Sequence, residues 1–123
     1  VAVCSNAGWY TVPESGIDFP YGLNKSELSS STLKLAFSKN LYVHLADLDT
    51  NPNASSLRHN ETVDNQQGLN RRARGRYFYK ASKAIANQKE IDYNWIKTEE
   101  VLNVGHSAKE MAVDALQYLY QNN

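Results

Sequence analysis

Neither sign of charge predominates in this chain of 123 residues, because thirteen basic side chains meet thirteen acidic ones. With no net charge there is no global field to draw the protein to nucleic acid or an anionic membrane, so partners have to be read from local sites. No apolar run approaches the ~20 residues that a spanning helix needs, and no charged-then-apolar leader opens the sequence. A single cysteine, Cys4, excludes an internal disulfide and leaves the redox compartment open. Three Asn-x-Ser/Thr triplets, at Asn24, Asn53 and Asn60, carry little weight without a secretory signal.

The length is that of one domain with one modest core. VAVC at 1–4 reads as a short buried strand that starts without Met or any lead-in, as expected of a chain cut from something longer. An aromatic loop follows over 5–25, rich in Gly and Pro; a loop of ~20 residues inside a compact domain is usually functional or covers something. Residues 26–60 hold a helix over 27–38 capped by Ser26, the strand LYVHLAD at 41–47, a turn at DTNPN and a short helical turn near 55–59. A long helix region spans 61–92, with its helix at 70–87 and Tyr77, Ala81, Ala84 and Ile85 near one face. Gly75 costs that helix about 1 kcal/mol relative to Ala, so it should have a packing reason. The last part, 93–123, carries a strand at 94–104 with a charged middle and an amphipathic helix at 107–120, where Ala108, Met111, Ala112, Ala115, Leu116 and Leu119 recur at helical spacing.

Strands alternating with helices predict an α/β fold, about three parallel strands flanked by helices. Ligands of such sheets sit outside the carboxyl ends of the strands. At those three places stand Ser5, Asp49 and His106. Ser, Asp, His is the chain order of one large class of hydrolase triads, yet the nucleophile there needs a G-x-S-x-G turn. Around Ser5 the sequence is VCSNAG, with Val3 and Ala7 in place of the glycines, so ordinary strand-end chemistry suits Ser5 better than attack. His106, between Gly105 and a helix start, is well placed as a base, provided that a carboxylate fixes its other ring nitrogen. Asp49, two residues past LYVHLAD, is favoured for this over Asp47, which lies nearer the strand. His44 in mid-strand and His59 in a polar loop suit structural or solvated roles. The basic run RRARGR at 71–76 reads as a solvated or salt-bridged helix face rather than a nucleic-acid site, since its positions spread around the cylinder.

The runs NAGWYTVP at 6–13, FPYGL at 19–23, LADLDTNPN at 46–53, QGLNRRARGRYFY at 67–79 and VLNVGHSAKEM at 101–111 together resemble the C-terminal part of an α/β-hydrolase. The likeness is to a bacterial branch, often exported, of esterase and polyester-depolymerase type. It implies Asp49 as the triad acid and His106 as the base. Ala46 and Asn103 depart from the pattern, standing where glycine is usual. The resemblance also implies that the serine elbow lies upstream of Val1, that this portion alone is inactive, and that no cofactor is needed. The partners implied are a small or polymeric ester and, at the exposed edge of the first strand, either the missing N-terminal half or a second copy. Trp9, Tyr10, Phe19 and Tyr21 are candidates to line the substrate pocket. A noncatalytic binding module that keeps this fold is the alternative, distinguished by the absence of a G-x-S-x-G elbow before Val1.

Overall fold

A computed structural model describes residues 1–120. Three parallel strands form one sheet in the order β1-β2-β3: β1 at Ala2–Ser5, β2 at Leu41–His44 and β3 at Ile96–Lys97. β1 runs in register with β2 from Ala2 beside Leu41 to Ser5 beside His44. The helices are α1 (Ser30–Phe37), α2 (Glu61–Gln67), α3 (Arg71–Gln88) and α4 (Ala108–Leu119). The fold class expected from the sequence is the one observed.

Alternation along the central strand decides which helix lies on which face, because successive side chains of a strand point to opposite sides. Val43 and Leu45 join Tyr10, Val12 and Phe78 in a core beneath α3. His44 and Ala46 turn the other way, to Asp114 and Met111 of α4. A polar histidine thus sits in the sheet interior with a helix over it.

Each helix start is capped by a side chain that accepts an otherwise orphaned backbone N–H: Ser29 from Thr32, Asn60 from Val63, Asn70 from Ala73 and Ser107 from Glu110. Several boundaries differ from the sequence reading. The first helix begins at Ser30 rather than 27, since the Ser26 hydroxyl donates to the Leu23 carbonyl instead of capping. Residues 55–59 hold only a turn, while the seven-residue α2 follows Asn60. β1 is an edge strand and not a buried one, with Val1 and Ala2 exposed. β2 leaves regular pairing after His44, and the strand expected over 94–104 contracts to Ile96–Lys97 plus a single bridge from Val101 to Ala46. The charged middle explains the contraction: Glu100 turns out of the sheet line to meet Arg72, Arg76 and Lys97.

The buried stripe of α3 is Arg71, Arg74, Gly75, Phe78, Ser82 and Ala86, one position away from the face expected at Ala81 and Ile85. Gly75 does have its packing reason. A Cβ there would collide with Leu45 Cδ2 and come within 2.9 Å of the Tyr10 hydroxyl. In α4 only Met111 and Ala115 of the expected apolar set are buried.

Candidate active site

Asp49 and His106, expected as acid and base, are brought together by the hydrogen bonds of two loops. Past β2, the N–H groups of Asp47 and Leu48 donate to the carbonyls of Val101 and Val104, at 3.1 and 2.9 Å. These bonds lay the acid turn alongside the chain that leads to His106. The Asp49 carbonyl accepts from the Arg72 N–H at 3.1 Å, which seats the turn against the first turn of α3. Asn103 takes the left-handed conformation, with φ of 62°, and thereby supplies the bend before the histidine. Asparagine tolerates that region better than most residues, so the departure from glycine at this place is accommodated. Gly105, by contrast, has no positive φ, and a Cβ on it would reach only the Leu48 carbonyl oxygen at 4.0 Å.

The result is a hydrogen bond of 2.8 Å between His106 Nδ1 and Asp49 Oδ2. The Asp49 side chain is 4 % exposed and that of His106 is 52 % exposed. An ionised carboxylate only accepts, so a neutral imidazole in this arrangement carries its proton on Nδ1 and keeps its lone pair on Nε2. Among the described residues Nε2 has no hydrogen-bond partner. Asp47, the competing acid, accepts weakly from the Val104 N–H at 3.4 Å and does not bond His106.

His106 borders two hollows. The larger, about 370 Å³, is lined by Asn6, Gly8, Trp9, Ser56, Arg58, Arg71 and His106. The smaller, about 260 Å³, is lined by Ser5, Asn6, His106, Ser107, Ala108, Met111 and Ala112. A roomier hollow of about 780 Å³ lies between the 13–16 turn, the 23–33 segment and the end of α3, and none of the expected catalytic side chains reaches it. Its size does not make it the site, because it lacks a base beside a nucleophile position.

The four expected pocket aromatics separate. Trp9 lines the larger hollow, with the Arg58 guanidinium 5.1 Å from its ring centre. Tyr21 packs edge-on behind Trp9 at 5.1 Å, and its hydroxyl accepts from Arg58 and Asn60. Tyr10 does not face a hollow; it is a core residue stacked on Phe78 at 4.6 Å. Burial there raises its phenol well above the usual range. Phe19 is exposed and lines neither hollow.

Ser5 lies in the smaller hollow, but its hydroxyl is engaged with His44 Nδ1 at 2.6 Å. His44 Nε2 in turn meets Asp114 Oδ2 at 2.7 Å, and the imidazole is fully buried. His59 bridges Asp64 and the Pro52 carbonyl, away from both hollows. The RRARGR run is ion-paired at three of its arginines and is not simply solvated. Arg72 and Arg76 share Glu100, and fully buried Arg74 bonds Asp64 at 2.7 Å and the carbonyls of Gly8, Arg58 and Gly68. Arg74 therefore ties together the backbone that presents Trp9 and Arg58. Desolvation lowers its pKa, against the opposing pull of Asp64.

Asn6, Arg58 and Arg71 are site residues that the sequence does not single out. Asn6, at φ of 49°, accepts from the Ala46 N–H through Oδ1 while its buried Nδ2 has no partner among the described residues. An Asn directly after a strand, at a position that favours the left-handed region, is the one signal the sequence holds for it.

The same fold occurs in solved hydrolases. The chain superposes on poly(aspartic acid) hydrolase-1 from Sphingomonas sp. KT-1 with a TM-score of 0.87 and 31 % identity, over 94 % of this chain and 43 % of that one. It superposes on LpqC, the poly(3-hydroxybutyrate) depolymerase of Bordetella parapertussis, with a TM-score of 0.83 and 27 % identity, over 94 % of this chain and 39 % of that one. The chain thus spans about two fifths of the length of these structures. No protein-family model and no curated protein matches it. Its three parallel strands and their helices are a portion of an α/β-hydrolase-type fold, similar to that of known hydrolases.

Proposed function

We propose that this chain supplies the acid and the base of a serine hydrolase that cleaves carboxylic esters or related acyl bonds. The observation that carries the reading is the Asp49–His106 pair at 2.8 Å, whose second ring nitrogen is unpartnered, among the described residues, beside two hollows. The likeness to two hydrolases named for polymers joined through acyl bonds supports it.

In this reading a serine carried by another part of the sheet, upstream of Val1, presents its hydroxyl to His106 Nε2. His106 takes the proton as the serine oxygen attacks the carbonyl carbon, then returns it to the departing alcohol as the ester C–O bond breaks. Water repeats the sequence on the acyl-serine and releases the acid. Asp49 keeps Nδ1 protonated and stabilises the imidazolium. The outer edge of β1, free in this chain, is where the serine-bearing strands would pair. The chain by itself is then inactive, and an exported location, as in the branch it resembles, fits the role.

Ester turnover by the full-length protein tests the assignment. His106→Ala should lower kcat by roughly 10⁴ to 10⁶ with the circular-dichroism spectrum retained; undiminished turnover would sink it. A fluorophosphonate adduct mapped by mass spectrometry should fall on a serine outside these residues, and an adduct on Ser5 would reassign the nucleophile.

A further inference from the structure

Five arginines lie in the described part of the chain, and they divide by partner. Arg72, Arg74 and Arg76 each meet a carboxylate. Arg58 and Arg71 have no carboxylate partner among the described residues, and they are the two that line the hollow beside His106.

Arg71 is the more telling. It is 4 % exposed, yet its one side-chain hydrogen bond among the described residues is from Nη2 to the neutral hydroxyl of Ser56, at 3.0 Å. A guanidinium has five N–H donors and keeps its charge at any ordinary pH. Burying it against a lone hydroxyl is costly unless an anion completes the arrangement. Across the hollow Arg58 lies over the Trp9 ring and gives Nη1 to the Tyr21 hydroxyl at 3.2 Å, so its position is fixed by packing. Two oriented forks opening on one hollow suit a carboxylate, which each can bind in bidentate fashion. The hollow, about 370 Å³, holds a short acyl chain and little more.

Resting on the hydrolase reading above, we infer that the hollow formed by Trp9, Ser56, Arg58 and Arg71 beside His106 binds a carboxylate on the substrate, so that the preferred substrates are acyl compounds with a free carboxylate near the scissile carbonyl. Trp9 supplies the apolar wall against which the intervening carbons lie. Arg71 is the deeper anchor and Arg58 the outer one.

The full-length enzyme is tested with two matched esters, one carrying a carboxylate on its acyl portion and the other the neutral amide in its place. The carboxylate should be preferred in kcat/KM by about tenfold to a hundredfold, the usual worth of a hydrogen bond to a charged group. That preference should collapse toward parity in Arg71→Gln, fall partway in Arg58→Gln, and shrink with added salt for the outer group. Should Arg71→Gln not fold, exposed Arg58→Gln carries the test. Calorimetric titration with glutarate reads the same site without turnover, binding to the wild type and weakening in both variants. No preference in the wild type, or one unchanged in the folded variants, overturns the inference while leaving ester hydrolysis standing. Glutarate binding that needs Arg71, in a protein that turns over neither ester, would overturn the hydrolase reading and keep the anion site.

Discussion

All three histidines of this chain hold an aspartate at nearly the same distance, and the two that compare most directly are His106 with Asp49 at 2.8 Å and His44 with Asp114 at 2.7 Å. What separates them is the other ring nitrogen. In His44 it is occupied by the Ser5 hydroxyl, and the ring is sealed between β2 and α4. In His106 it has no partner among the described residues, on a ring half open to two hollows. A carboxylate on an imidazole is therefore not by itself a mark of catalysis. The His44 chain saturates its hydrogen bonds and joins β1, β2 and α4 into one body, as buried polar groups must if they are not to cost stability. The His106 pair leaves one ring nitrogen open, as the proposed reaction requires.

The sharpest way to break this contrast is to make the same change in both acids. Asp49→Asn in the full-length enzyme should lower kcat about 10⁴-fold by favouring the wrong tautomer. Asp114→Asn should instead act on stability, costing about 1 kcal/mol in urea titration, because it disturbs a partly buried bond to a ring that has no access to water. Equal losses of turnover in the two variants would erase the distinction. Gly75→Ala probes the scaffold beneath the acid turn, since Leu45 and Tyr10 already touch α3 there. It should destabilise by about 1 to 3 kcal/mol despite the better helix propensity of alanine, through overpacking; a raised Tm would contradict the close approach.

The smallest effect concerns the chain leading to His106, which Glu100 holds against α3. Hydrogen bonds from Arg76 above all, with Arg72 and Lys97, hold the Glu100 carboxyl at about 2. The unfolded value is about 4.3. A carboxyl depressed in the folded state stabilises above its unfolded value, and that contribution disappears as pH falls through the folded one. Glu100→Gln should thus cost about 1 kcal/mol at neutral pH, as expected of a partly solvated ion-pair cluster. The gap to the wild type should close between about pH 4 and pH 2. Urea midpoints across that range measure it, and a gap independent of pH would assign the stabilisation to packing instead.

Much of the architecture is legible in the sequence, for identifiable reasons. The strand at Leu41, the long helix near 70–87 and the last amphipathic helix follow from local periodicity and composition, and strand-helix alternation predicts a parallel sheet. Boundaries shift where a side chain has a better partner elsewhere: Ser26 turns to Leu23, and Glu100 leaves the strand line for three cations. Asp49 and His106 stand out because ligands gather past the ends of parallel strands. Arg71 is hidden, because nothing in RRARGR distinguishes the arginine without a carboxylate from the three that have one.

The sequence by itself determined the alternation of the main strands and helices and the two chain positions where an acid and a base could stand, since these rest on neighbours a few residues apart. Only the tertiary structure decided that Asp49 reaches His106 while Asp114 reaches His44, that Tyr10 belongs to the core and Trp9 to a hollow, and that two arginines face that hollow without a counter-ion among the described residues. Those outcomes depend on groups as much as 70 residues apart meeting across the sheet. Contacts at such separation are fixed by which face each side chain takes and by burial, and neither is written in any local stretch of the chain.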